Sequence, residues 1–255
     1  MKTALAVLTL LAASAPARAS LWDWECDQKA PREATVNAAG ARQVRVIARA
    51  GELKIHGRDG VSAVTVHGTA CASNESRLAD VKLVAERRGD VVYIEAAVPE
   101  DGWFGGQGAL DLDIEVPVSI ALDVDDGSGS ADIENVASLK IEDGSGDLAI
   151  DDVRGDVTVE DGSGSLDIDK VGGQVRIRDG SGEIIVREAG SVLIDEDGSG
   201  GVELTGVHGN VVVRDDGSGS ISVRDVGGDF TVEDDGSGSI DHHDVRGRVR
   251  IPADK

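Results

Sequence analysis

From Asp126 onward, apolar and polar residues alternate in short bursts separated by glycine. Within Asp161 to Arg178, Leu166, Ile168, Val175 and Ile177 point one way in two alternating bursts, and Asp167, Asp169, Arg176 and Arg178 the other. Successive side chains on a strand face opposite sides, so each burst predicts a short strand with one apolar face. The same inward pairs recur as Leu148/Ile150 with Val157/Val159, Val202/Leu204 with Val211/Val213, and Ile221/Val223 with Phe230/Val232. Between the pairs lies one more small apolar residue, Val136, Val153, Val171, Ala189, Val207, Val226 or Val245, placed to fill a corner. Upstream, Val44/Val46, Leu53/Ile55, Val64/Val66, Val81/Leu83 and Val91 to Ile94 keep the alternation between glycine-containing turns.

The turns make this pattern a repeat. The string DGSG begins at Asp126, Asp143, Asp161, Asp179, Asp197, Asp216 and Asp235, at spacings of 17, 18, 18, 18, 19 and 19 residues. Strands this short are unstable alone, and stacking one unit per coil buries every apolar face against the next. The predicted fold class is therefore all-β, a parallel β-solenoid with 17–19 residues per coil; an up-and-down antiparallel barrel or meander shares the same strand and turn signals. Glycine suits corners that need positive φ or lack room for Cβ, and aspartate and serine accept or donate turn hydrogen bonds. Stacking would align the seven motif aspartates about 4.8 Å apart, where like charges repel. The expected relief is a solvated column whose side chains splay outward. Bound Ca²⁺ on Asp126, Asp143, Asp161, Asp179, Asp197, Asp216 and Asp235 is the sharper alternative, since that ion prefers oxygen ligands.

Composition and termini narrow the setting. Lys2, the apolar run Ala4 to Ala13 and Ala17-Arg18-Ala19 form an export signal with its cleavage site. The expected organisation is a signal peptide over 1–19, an N-terminal segment over 20–43, and an irregular strand-rich start of the solenoid over 44–122. The regular DGSG solenoid follows over 123–251, with a tail over 252–255. Loss of Lys2 and Arg18 would take the formal charge from -23 to -25. So acidic a surface argues against nucleic acid as a partner, and no later segment has the apolar length of a membrane-spanning helix. Export to the periplasm or cell exterior predicts that Cys26 and Cys71, the two cysteines, form a disulfide; two free buried thiols are the alternative.

The stretch DLDIEVPVSIALDVDDGSGS (Asp111 to Ser130), with strand, Val116-Pro117, strand and first turn, resembles the DUF4097 family of adhesin-like proteins. Later units such as GDFTVEDDGSGSI (Gly228 to Ile240) fit the same pattern, and the likeness runs from about Val44 to Ile251. That resemblance implies a right-handed, parallel β-helix-like fold at the bacterial envelope or outside the cell, and no catalytic residues. The nine-residue half-unit also resembles the calcium-binding nonapeptide of RTX β-rolls. The acid of that motif is replaced by Leu166, Ile221 or Ile240, so at most a weak, millimolar response to Ca²⁺ is expected.

Candidate chemistry elsewhere is sparse. Trp103 and Phe104 lie in a glycine-rich loop, either folded onto the core or exposed as a partner-binding tip. In Asp241-His242-His243-Asp244, His242 takes the inward position of Val223 one coil earlier, and only two obvious ligands share a face, too few for zinc. The motif serines are equivalent, which singles out no nucleophile. The leading expectation is a non-enzymatic, exported, adhesin-like scaffold or binding module with no cofactor and a protein or glycan partner. A weakly Ca²⁺-responsive module is second, and a polysaccharide-active β-helix enzyme third.

Overall fold

A computed structural model describes residues 26–99 and 108–252. Its first part comprises β1 (Gln28–Asn37), β2 (Gln43–Ile47), β3 (Leu53–Arg58), β4 (Ala63–Ala72) and α1 (Glu75–Asp80). These are followed by β5 (Lys82–Arg88), β6 (Val91–Ala97), β7 (Gly108–Pro117), β8 (Ala121–Asp126) and β9 (Ala131–Val136). The regular coils contain β10 (Ser138–Asp143), β11 (Leu148–Val153), β12 (Val157–Asp161), β13 (Gly164–Asp179), β14 (Gly182–Asp197) and β15 (Gly200–Val207). They close with β16 (Val211–Asp216), β17 (Gly219–Val226), β18 (Phe230–Asp235), β19 (Gly238–Val245) and β20 (Val249–Arg250).

Each coil places one strand in a front face and one in a back face, joined by the DGSG turn. From β8 to β20 the front strands pair in parallel, coil on coil, as do the back strands from β9 to β19. The fold is thus the parallel β-solenoid that the alternation predicts. Leu166, Ile168, Val175 and Ile177 are buried between the faces, and Val136, Val153, Val171, Ala189, Val207 and Val226 fill the corner. Branched and small side chains suit a core only two side chains deep, where each stacks on its equivalent one coil away.

Variation in repeat length has a local cause. The second corner spans three residues from Val136 to Leu139 and from Ala189 to Val192, but four from Val171 to Val175. The front strand takes four residues from Val175 to Asp179 but five from Val192 to Asp197, where Asp195 enters as a bulge and shifts the register after Ile177. A short corner and plain strand give 17 residues, one extension gives 18, and both give 19. A bulge absorbs the extra residue without moving the inward side chains on either side.

At that corner the residue before the apolar filler is left-handed in every regular coil: Asn135, Asp152, Lys170, Glu188, Asp225 and Asp244 have φ of 51 to 57°, and Gly206 has 72°. Side chains other than glycine disfavour this region by about 1 kcal/mol. Glu188→Gly should therefore raise stability by up to about 1 kcal/mol, and Gly206→Glu should lower it similarly. Urea unfolding of both variants checks this; a loss in Glu188→Gly would refute the strain.

The N-terminal part departs from sequential stacking. β2 pairs in parallel with both β6 and β8, and β3 with both β7 and β9. The first coil, β2 and β3, is therefore inserted between a later coil and the regular stack. Beyond it, β5 runs antiparallel to β6, while β4 runs antiparallel to β7 and β1 to β4. Asn74 caps α1 by accepting the Arg77 N–H at 2.9 Å. The upstream segment is both a coil of the solenoid and its cap, and the antiparallel strands terminate the parallel ladder there.

Candidate functional site: an inward aspartate column and an outward front row

The motif aspartates do not splay into solvent. Each is the last inward position of its front strand, so Leu139, Ile141 and Asp143 point the same way. Asp126, Asp143, Asp161, Asp179, Asp197, Asp216 and Asp235 stand in register from coil to coil. The first six are between 1 and 6% exposed, which overturns the expected solvated column. Parity already places them inside in the early coils, because position 143 matches 139 and 141. The turn signal points to the corner instead, and in later coils the bulge hides the parity.

Burial without partners dominates their chemistry. Both carboxylate oxygens of Asp126, Asp143, Asp179, Asp197 and Asp216 make no hydrogen bond of good geometry, although turn N–H groups lie near several of them and the Asp197 and Asp216 carboxyls lie against each other, whereas Asp161 accepts the Ser163 N–H at 3.2 Å. Desolvation, joined by the Asp143 charge, pushes the Asp126 carboxyl up to about 7. Desolvation also raises Asp143 to about 6, with Asp161 adding to it, and Asp179 to about 6, with Asp161 and Asp197 adding to it. Asp161, Asp197 and Asp216 move up as well, first through burial. Nearby turn N–H groups pull several of these values down but do not offset desolvation. The column consequently takes up protons near neutrality. Among the described residues, no three His, Cys, Asp or Glu side chains are grouped where they could hold a metal ion.

On the outer side of the front face, Thr158, Arg176, Leu193, Val212, Thr231 and Arg250 form one cross-strand row. The bulged Asp195, 8% exposed in its side chain, receives Arg176 and also Arg214 at 2.5 Å. A hollow of about 230 Å³ lined by Thr158, Glu160, Arg176 and Arg178 lies on one side of this triad. Another of about 330 Å³ lies on the other, with Leu193, Asn210, Val212 and Arg214 in its wall. Sequence alternation identifies these arginines as outward but does not gather them. The bulge does so by turning Asp195 toward both.

The other candidates are dispersed. Cys26 and Cys71 are disulfide-bonded with Cα atoms 5.5 Å apart, in the wall of a groove of about 500 Å³ that also contains Lys29 and Asp111. His242 pairs in register with Val223 and is exposed in the last coil. Trp103, Phe104 and the signal peptide lie outside the described residues. No helix among the described residues is long and apolar enough to cross a membrane.

No family model matches the chain, and no curated protein matches it. Solved structures similar to it include a protein provisionally described as a cell adhesion protein from Clostridium sporogenes, with 14% identity and a TM-score of 0.35, over 88% of this chain and 100% of that one. Another is a provisionally described adhesin from Bacteroides fragilis, with 12% identity and a TM-score of 0.49, over 89% and 98%. A third, from Parabacteroides distasonis, carries a provisional description as a lipid-binding protein, with 15% identity and a TM-score of 0.42, over 88% and 97%. At these identities and scores the likenesses carry no argument about function.

Proposed function

We propose that this chain is a non-enzymatic, exported scaffold of the adhesin-like kind, in keeping with the DUF4097 family it resembles. Its front face is the contact surface for a protein or glycan at the envelope or outside the cell. The observation that supports this reading is the pairing of Leu193 with Val212 on an outward row, beside Arg176 and Arg214 held on Asp195. Ordered side chains on a rigid sheet lose little entropy on binding, and an apolar pair flanked by arginines supplies both desolvation and direction. The same row breaks the otherwise acidic surface, so an acidic or neutral partner meets less repulsion there.

Binding of the mature protein to purified peptidoglycan, lipopolysaccharide, capsular polysaccharide, collagen and fibronectin tests this reading. The double variant Leu193→Asp, Val212→Asp should weaken saturable binding to the recognised member about tenfold or more, with an unchanged melting temperature. Equal binding by wild type and variant would remove the front face from the function. Cleavage of any glycan would overturn the non-enzymatic reading.

A second reading, a weak Ca²⁺ response, is favoured by the orphaned carboxylates of the inward column, because a bound cation would neutralise them as a proton does. Melting in Ca²⁺, in Mg²⁺ and with chelator tests it: a higher midpoint in Ca²⁺ alone supports a site, and equal midpoints remove it.

A further inference from the structure

The two strands that end the solenoid at its C-terminal side are finished differently. On the front face β20 has two residues, is flanked by Arg248 and followed by Pro252, and Arg248 and Arg250 lie 3.3 and 3.6 Å from Asp229. Short length, charge and proline all discourage a further strand. On the back face β19 runs for eight residues in register with β17. Among the described residues no strand pairs with its other side, so a row of backbone N–H and C=O groups faces outward. The inward positions beside it are also uncovered. Ile240 and Val245 are half-buried, Val249 and Ile251 are 36 and 42% exposed, and His242 stands exposed with its ring 6.2 Å from that of Phe230. In preceding coils the equivalent positions, such as Ile221, Val223 and Val226, are buried.

We propose that this end is a self-association surface, on which β19 of a second copy of the chain pairs antiparallel to close a two-fold dimer. Charge selects the occupant. The chain carries a formal charge of -23, so its flanks repel a second copy, whereas the last repeat, from Asp235 onward, sets Arg246, Arg248 and Arg250 against Asp235, Asp241 and Asp244 and meets a second copy of itself without net charge. The strand is also self-complementary. Two-fold pairing centred on His242 puts Asp241 opposite His243 of the second copy, and the symmetry makes that contact twice. Both residues lie on the outward side, in register with Ser222 and Arg224 of the coil beneath. The same approach brings the half-buried Ile240 and the exposed Val249 of each core toward those of the other. A head-to-tail fibre is disfavoured, because the other end of the solenoid is finished by β1, which contains Pro31, and by β5, which carries Lys82, Glu86, Arg87 and Arg88.

Sedimentation velocity of the mature protein across the micromolar range provides the test. The wild type should show a reversible monomer–dimer equilibrium. Asp241→Lys should weaken it about tenfold by removing, twice, the carboxylate that accepts a hydrogen bond from the His243 ring, and the double variant Asp241→Lys, His243→Asp should recover most of the loss by restoring an oppositely charged pair at the same place. Each variant is melted to show that the solenoid itself is intact, as expected for exposed positions in the last coil. A wild type that stays monomeric would overturn the proposal, as would an Asp241→Lys variant with an unchanged dimer constant or a double variant without recovery.

Discussion

Replacing Gly182 by alanine should destabilise the solenoid by at least about 4 kcal/mol, a large share of the stability of an ordinary domain. A Cβ at Gly182 would stand 1.6 Å from the carbonyl oxygen of Gly164 one coil away, and the residue has a φ of +151°. The obstacle is backbone, not a side chain that could turn aside. Moving it would separate coils bonded through Gly180 N–H to Asp161 O at 3.0 Å and Gly182 N–H to Ser199 O at 2.9 Å. Gly146, Gly164 and Gly200 meet the same obstacle at 1.5 or 1.6 Å, so the fourth motif position is a column of backbone packed on backbone. Gly201 is the control, since a Cβ there meets nothing within 4 Å. Gly201→Ala should change stability by less than about 0.5 kcal/mol. Urea unfolding followed by circular dichroism measures both. A loss below about 1 kcal/mol in Gly182→Ala would mean that the coils separate far more easily than their hydrogen bonding implies.

Acid should stabilise this protein. Six of the inward aspartates, Asp126, Asp143, Asp161, Asp179, Asp197 and Asp216, have folded-state pKa values above the ordinary 3.8, with Asp126 at about 7 and Asp143 and Asp179 at about 6. The folded chain therefore holds protons that the unfolded chain releases. This contribution is complete below about pH 4 and is lost as the pH rises through 6 to 7. A tenfold difference in proton affinity between the folded and unfolded chain is worth about 1.4 kcal/mol, and the carboxyls interact. A loss of several kcal/mol between pH 4 and 8 is therefore expected, smaller than independent sites would give. Glu142, Asp147 and Asp229 act oppositely, since their pKa values are lowered and their stabilisation fades only at lower pH. The optimum should accordingly lie on the acidic side of neutrality. Asp179→Asn places a neutral amide in the column, which should raise stability at pH 8 by about 1–3 kcal/mol and have little effect at about pH 4 and below, where the carboxyl is protonated in both the folded and the unfolded chain. Thermal and urea unfolding of both proteins across this range decides the matter. A wild-type profile flat from pH 5 to 8, or a variant equally weakened at both ends, would mean that the carboxylates are neutralised by something other than protons.

The two results concern adjacent parts of one corner. Glycine lets the coils approach closely, and that approach removes water from the aspartate just before the turn. Four residues that read as generic turn chemistry thus combine a steric requirement with a group titrating near neutrality.

Much of the architecture follows from local order in the sequence. Alternation alone identifies the inward Leu166/Ile168 and Val175/Ile177 pairs, and the seven spaced turns determine that units stack. These features are legible because side-chain direction has period two and the coil has a nearly constant length, properties that depend only on neighbours along the chain. Tertiary structure alone decided that β2 and β3 sit between β6/β7 and β8/β9, since an alternating strand looks the same whichever strand it joins. It also decided the meeting of Arg176 and Arg214 at Asp195, which needs one bulge to re-aim one carboxylate across two coils. The burial of the motif aspartates lies between these cases. Their parity was present in the sequence, but their loss of water came from the close stacking of glycine backbones, a contact between residues about 18 apart that no single repeat contains.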